Sequence, residues 1–156
     1  MWIIQGKVGG VVDIYNSFNE MLVKLFNDIM DIEQKALITE EFKDITSNDM
    51  HIIDAIGIGN PRNMSSVAKS MSVTVGTLTI AINSLVKKNY VDRVRSEEDR
   101  RVVLLSLSDK GRLAYYHHKK FHDDMIKATV KGFNKEEKVI LEKAITNLID
   151  FFKTYN

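Results

Sequence analysis

Arg95, Arg100 and Arg101 stand close together in a stretch that also holds Glu97, Glu98 and Asp99. A guanidinium is a planar, permanently charged fork of N–H donors, suited to phosphate oxygens and to the edges of bases. Val91 and Val94 open one β-strand before this charged stretch, and Val102 to Leu107 form a second, β-branched-rich strand after it. A hairpin built for stability alone closes on a short Asn-Gly or Asp-Gly turn. This tip carries almost nothing but charge, so the chemistry expected of it is recognition of a polyanion.

Charge along the rest of the chain agrees with that expectation. The net formal charge is only +1, but its distribution is uneven. Residues 61–112 carry ten Lys/Arg against five Asp/Glu, a local balance of +5, whereas residues 1–60 carry four against ten, or −6. Positive charge gathers around the hairpin, where an electrostatic footprint for DNA belongs.

Several elements are needed to position such a tip. Residues 11–37 form a long helical pattern, with Ile14, Phe18, Met21, Leu22, Leu25, Ile29 and Ile32 near helical spacing. Thr46, with Asp49 three residues on, opens a shorter helix to Ile56. Gly57, Gly59 and Pro61 then make a loop. Asn63 caps a helix whose apolar positions are Met64, Val67, Ala68 and Met71. After a turn at Ser72-Val73, a second helix runs from about Thr74 to Lys88, with Val75, Leu78, Ala81, Ile82 and Leu85 on its apolar face.

The opposite face of that helix presents Thr74, Gly76, Thr77, Thr79, Ile80, Asn83, Ser84 and Lys87. A bland solvated face would carry Glu and Lys instead. Small and hydroxylated side chains at a helix N-terminus let the backbone approach a phosphate, while hydroxyls and amides meet base edges. After the hairpin, Ser108 caps a helix from Asp109 to about Lys131, and Asn134 with Glu137 opens a final helix to about Tyr155. The terminal helices carry surplus apolar residues, among them Val11, Val12, Phe26 and Met30 in the first and Ile140, Ile149 and Phe151 in the last. Such a surplus predicts a symmetric dimer interface.

Other function classes are disfavoured. With no cysteine there is no thiolate metal site, disulfide scaffold or thiol redox sensor. Gly57-Ile58-Gly59 leads into Asn60-Pro61 and reads as a turn, and no Gly-rich phosphate loop, nucleophile elbow or carboxylate cluster suggests an enzyme. No cofactor is expected. No apolar run approaches a membrane span, and the first ten residues are too short and weakly apolar for a signal peptide, so the expected location is cytoplasmic. His118 and His122, four apart on one helix face, are the alternative to be weighed as a metal site, but two histidines fall short of a ligand set. A protein-binding winged helix is a third reading, against which the arginines weigh.

The order helix, helix, helix-turn-helix, hairpin, long helix, long helix resembles the MarR family of bacterial repressors over nearly the whole chain. Thr77-Leu78-Thr79 followed by Leu85-Val86-Lys87-Lys88-Asn89-Tyr90-Val91 is similar to that family's recognition helix and its exit. Asp99-Arg100-Arg101 is similar to its wing tip, and Leu107-Ser108-Asp109-Lys110-Gly111 to its strand-to-helix junction. Four further stretches resemble its fatty-acid-biosynthesis repressors: Met50-His51-Ile52-Ile53-Asp54, Val73-Thr74-Val75-Gly76-Thr77, Arg93 to Arg101, and His118-Lys119-Lys120-Phe121-His122.

The resemblance implies a mainly α fold with a small β-hairpin wing, a winged helix-turn-helix with long N- and C-terminal dimerisation helices. It implies a single unit over 1–156, with DNA binding at 46–108 and dimerisation through 11–37 and 109–156. It further implies a homodimer on a pseudo-palindromic operator, with Thr77, Thr79 and Asn83 reading the major groove. Arg101 would enter the minor groove, oriented by Asp99, with Thr74, Gly76, Ile80, Arg95 and Arg100 beside them. Many members have arginine where this chain has Ile80, whose apolar side chain suits a thymine methyl instead. The implied effector is acylated acyl-carrier protein or its acyl chain, with Arg112, Lys119 and Lys120 as its docking residues. The alternative is a metal- or small-molecule-responsive regulator of other genes.

Overall fold

The computed structural model describes residues 14–155. Residues 1–10, and Val11 and Val12 at the expected start of the first helix, lie outside the described residues. The elements are α1 (Ile14–Leu37), α2 (Ser47–Ile56), β1 (Arg62–Asn63), α3 (Met64–Ser70), α4 (Val75–Lys87), β2 (Val91–Arg95), β3 (Val103–Leu107), α5 (Asp109–Thr129) and α6 (Lys135–Lys153). This is the expected mainly α fold with a wing, a winged helix-turn-helix. Two compact units divide between Tyr115 and Tyr116.

Local hydrogen bonds set the helix starts. Thr46 Oγ1 accepts from Asp49 N at 3.2 Å while Asp49 Oδ2 accepts from Thr46 N at 3.0 Å. Asn134 and Glu137 repeat the arrangement at 2.9 and 2.8 Å. Each such box satisfies two backbone donors that a helix N-terminus otherwise leaves to water. The exits of α3 and α4 are equally defined. Ser72 and Asn89 take left-handed φ values of 54° and 63°, and Val73 N and Tyr90 N bond back to Ala68 O and Leu85 O at 3.0 and 2.9 Å. These are Schellman stops made without glycine. The first of them sets the sharp turn between α3 and α4.

The hairpin expected from sequence is part of a three-stranded antiparallel sheet in the order β1-β3-β2. Residues at 57–61 were expected to lead as loop straight into α3, but Arg62 and Asn63 pair with Leu105 and Leu104 first. Across the hairpin Val91 faces Leu107 and Arg95 faces Val103. Arg95 therefore closes β2 rather than standing in the tip.

Among the described residues, the buried apolar side chains all lie between Leu37 and Ala114, and include Met50, Ile53, Val67, Leu78, Ile82, Leu85, Tyr90 and Leu105. Truncating one of these larger aliphatics would cost about 2–5 kcal/mol. Not every position with apolar helical periodicity is core. Val75 is exposed, and most of the α1 stripe, including Phe18, Met21, Leu25 and Ile32, is exposed as well. Arg62 is structural, its guanidinium donating to Ala55 O, to Ser66 O at 3.4 Å and to Ser70 Oγ at 3.1 Å. It ties the end of α2 to α3.

A second polar tie holds the base of the hairpin. Tyr90 Oη donates to Asp44 Oδ1 at 2.6 Å, and Lys110 Nζ donates to Asp44 Oδ2 at 3.1 Å while lying 4.0 Å from the Tyr90 ring centroid. Burial alone would raise the Asp44 carboxyl. The hydrogen bonds from Tyr90 and Lys110, with the ammonium charge, outweigh it and hold the group below its ordinary value. Burial, reinforced by Asp44, pushes the Tyr90 phenol well above its usual range. Tyr90 thus remains a neutral donor, which keeps the bond to Asp44 intact at any physiological pH.

In the second unit, no residue of α6 is buried. Val139, Ile140, Ile145, Ile149, Phe151 and Phe152 are exposed in the single chain.

Candidate nucleic-acid interface

The helix-turn-helix and the hairpin give this unit one polar, partly cationic surface. α4 begins at an exposed cap, where Thr74 Oγ1 accepts from Thr77 N at 3.1 Å and lies 3.0 Å from Thr77 Oγ1. One of the first orphan N–H groups is satisfied in this way, which stabilises the start of the helix by about 1 kcal/mol. Gly76 follows on the open side. Packing does not demand glycine there, because a Cβ would meet only Thr74 Oγ1, at 3.8 Å. Its effect is to leave the helix N-terminus bare, and a bare N-terminus is an anion site by geometry and dipole.

Further along α4, Thr79 Oγ1 donates to Val75 O at 2.7 Å. With its proton so engaged, the hydroxyl offers lone pairs outward and acts as an acceptor. Ile80 is 76% exposed, an apolar side chain with no partner surface in the unit to cover it. Asn83 is exposed one turn on, and its Oδ1 accepts from Arg93 Nη1 at 2.8 Å. Acceptor, methyl and amide chemistry therefore line one helix face, each able to meet a different base edge.

The hairpin tip is ordered by its own polar groups. Ser96 N donates to Val102 O, and Val102 N to Asp99 O, both at 2.9 Å. Ser96 Oγ accepts from Glu98 N and Asp99 N at 3.3 and 3.4 Å. Asp99 Oδ1 accepts from Arg101 N at 2.9 Å and lies 4.0 Å from Arg101 Nε. Ser96 and Asp99 thus shape the backbone of the tip, while the Arg101 side chain stays 96% exposed. Arg95 turns back, donating to Arg100 O at 3.4 Å, and Arg100 is exposed.

Between helix and hairpin runs an open cleft of about 450 Å³, lined by Asn63, Ser65, Val75, Thr79, Arg93 and Arg101 among others. Two guanidiniums beside hydroxyl and amide groups suit a sugar-phosphate backbone, which positions a protein on DNA without carrying sequence information. Arg93 is the residue that sequence reasoning missed. It sits outside the charged tip, and only its contact with Asn83, ten residues away, sets it apart.

The remaining candidates lie elsewhere. Arg112 is exposed in the first turn of α5. In the second unit Lys119 Nζ lies 3.5 Å from Asp123 Oδ1, and Lys120 pairs with Asp124. The Lys120 hydrogen bond holds the Asp124 carboxyl below its ordinary value. His118 and His122 bring their Nε2 atoms to 3.0 Å of each other on α5, with rings edge to face.

Comparison with known proteins places this geometry. The family model described as transcriptional regulator SarA/Rot matches residues 34–115. Among solved structures, FabT of Streptococcus pneumoniae in complex with DNA is 42% identical, with a TM-score of 0.82, covering 91% of this chain and 99% of that one. The Bacillus subtilis regulator PchR is 24% identical over 143 residues, 88% of this chain and 85% of its own. The Staphylococcus aureus regulator SarZ is 28% identical over 112 residues, 72% and 70% of the two chains. These relatives are transcriptional regulators, not enzymes. Among the described residues, no helix is long and apolar enough to cross a membrane. The chain belongs to the SarA/Rot family of transcriptional regulators and is a DNA-binding regulator of the MarR winged-helix type.

Proposed function

We propose that this regulator is a homodimeric repressor of fatty-acid biosynthesis genes, and that long-chain acyl-carrier protein tightens its hold on DNA. The observation that carries this reading is the 42% identity to FabT across nearly the whole of both chains, which supports the fatty-acid repressor subgroup. The apolar side chains left exposed on α1 and α6 are the surfaces through which two copies associate. Two α4 helices then enter successive major grooves of a pseudo-palindromic operator, with Thr77, Thr79 and Asn83 toward base edges. Thr74 and Gly76 bring the start of α4 to a phosphate, and Ile80 meets a thymine methyl.

Arg101 enters the adjoining minor groove, with Arg95 and Arg100 adding charge at the wing. A narrow A·T-rich minor groove concentrates negative potential and favours a guanidinium there. Arg101→Ala is expected to weaken operator binding by about 1–3 kcal/mol. In fluorescence anisotropy most of that loss should vanish when the flanking A·T pairs are changed to G·C. Equal losses on both flanks would count against minor-groove insertion.

Selection of bound duplexes from a random DNA pool tests the assignment to a pathway. A palindrome that maps beside fatty-acid synthesis genes is the expected result, and one that maps elsewhere overturns it. The effector is tested on the same operator. A ligand that prefers the DNA-competent dimer raises DNA affinity by the factor that DNA raises its own, typically about 1–3 kcal/mol. Long-chain acyl-carrier protein is expected to tighten binding and the unacylated carrier to do little. The carrier is acidic, so Lys119→Glu with Lys120→Glu should abolish the response and leave basal DNA binding intact. Arg112, exposed in the first turn of α5, is a further candidate for carrier docking. Equal affinity with and without acyl carrier, over a range of chain lengths, would reject the lipid effector.

A further inference from the structure

We infer that Arg93 is a positioning residue that holds the Asn83 amide so that Nδ2 is presented as a donor to the major groove. The inference rests on the proposed entry of α4 into that groove. Both side chains are exposed, yet they are held together by the 2.8 Å bond from Arg93 Nη1 to Asn83 Oδ1. A guanidinium has donors and no acceptor, so only the carbonyl end of the amide faces it. The bond is charge-assisted, and stronger than a neutral one at the same distance. It fixes which way the Asn83 amide points and turns the Nδ2 hydrogens away from the hairpin.

An unrestrained asparagine rotates its amide and offers either a donor or an acceptor. Held by Arg93, Asn83 offers Nδ2 as donor. In the major groove guanine, adenine N7 and thymine O4 present acceptors to that group, whereas cytosine presents the N4 amino donor. Donor then faces donor, and neither is satisfied. The base opposite Asn83 should therefore be discriminated chiefly against cytosine on the strand it faces. Without Arg93 the amide can rotate, accept from cytosine N4, and lose that discrimination.

Arg93 also lines the cleft that suits a DNA backbone, so the rival role is a plain phosphate contact. The two roles differ in what they change. A phosphate contact weakens all sequences alike and lowers the salt slope by about one. A positioning residue alters the preference at one base pair.

The test uses the full-length protein and the operator recovered by selection, with each base pair substituted in turn. Asn83→Ala identifies the position that Asn83 reads, as the one whose preference flattens. Wild-type protein is expected to disfavour cytosine there by about tenfold, the discrimination of one good base contact. Arg93→Ala should reduce that penalty to about twofold or less and leave the other positions unchanged. Arg93→Lys, which keeps a charged donor with no acceptor, should preserve the salt slope and retain more of the penalty than Arg93→Ala. In the Asn83→Ala background neither Arg93 substitution should alter base preference further. Circular dichroism of each variant checks that these exposed substitutions leave the fold intact. If Asn83→Ala flattens a position but Arg93→Ala weakens all sequences equally, the positioning role is overturned and groove reading stands. If Asn83→Ala flattens no position, the placement of Asn83 at a base edge fails, and the inference with it.

Discussion

Gly111→Ala is expected to cost about 4 kcal/mol or more of stability, enough to prevent accumulation of folded protein, the range reserved for clashes that the core cannot relieve. Intrinsic preference argues the other way, since alanine is favoured over glycine inside a helix by up to about 1 kcal/mol. The clash wins because of where Gly111 sits. A Cβ there would lie 2.0 Å from Tyr90 O, 3.0 Å from Tyr90 C and 3.3 Å from Leu107 Cβ. The obstacle is backbone that has nowhere to go. Tyr90 is fully buried, its N–H is bonded to Leu85 O, its carbonyl accepts from Ser108 N at 3.1 Å, and its hydroxyl is held by Asp44. Gly76→Ala is the control. It lies in another helix where a Cβ meets only ordinary contact, so it should gain stability by up to about 1 kcal/mol. Urea denaturation of both variants measures the difference. A Gly111→Ala protein with a midpoint near wild type would refute the close approach.

Removing residues 139–156 is expected to leave a folded DNA-binding unit that no longer dimerises. α6 buries none of its own residues in the single chain, and the buried apolar side chains all precede it. The deletion therefore takes away no described core residue. It does take away Ile140, Ile145, Ile149 and Phe152, exposed apolar side chains that only another surface can cover. With the second half-site no longer bound intramolecularly, affinity for the full palindrome should fall by a factor of about 10² to 10⁴. Half-site binding should stay near that of one wild-type protomer. Sedimentation measures the assembly and anisotropy the affinity. A truncated protein that sediments as a dimer would remove α6 from the interface.

What could be read from the amino-acid sequence alone is what is decided within a few residues. The boxes at Thr46–Asp49 and Asn134–Glu137, the cap at Asn63 and the break before α4 rest on bonds spanning three to five positions. Side-chain type and spacing carry such signals directly. The hairpin was legible for the same reason, because its strands are adjacent and its tip has a composition that a purely structural turn would not have. The exposed chemistry of α4 followed from helical periodicity.

Tertiary structure decided what depends on distant partners. β1 is only two residues long and exists because Arg62 and Asn63 meet Leu105 and Leu104. Nothing local favours a strand there. Val75 has core periodicity yet is exposed, since periodicity names a helix face but not how far its neighbours extend to cover it. Gly111 reads as an ordinary helix glycine until Tyr90 O is placed against it. Arg93 likewise reads as one more charge on a strand. Its bond to Asn83 forms because α4 and β2, joined by a tight turn, set the two side chains 2.8 Å apart. Sequence specifies which groups are available and which local bonds they form. Long-range packing selects the pairs that meet, because that depends on how whole elements share one core.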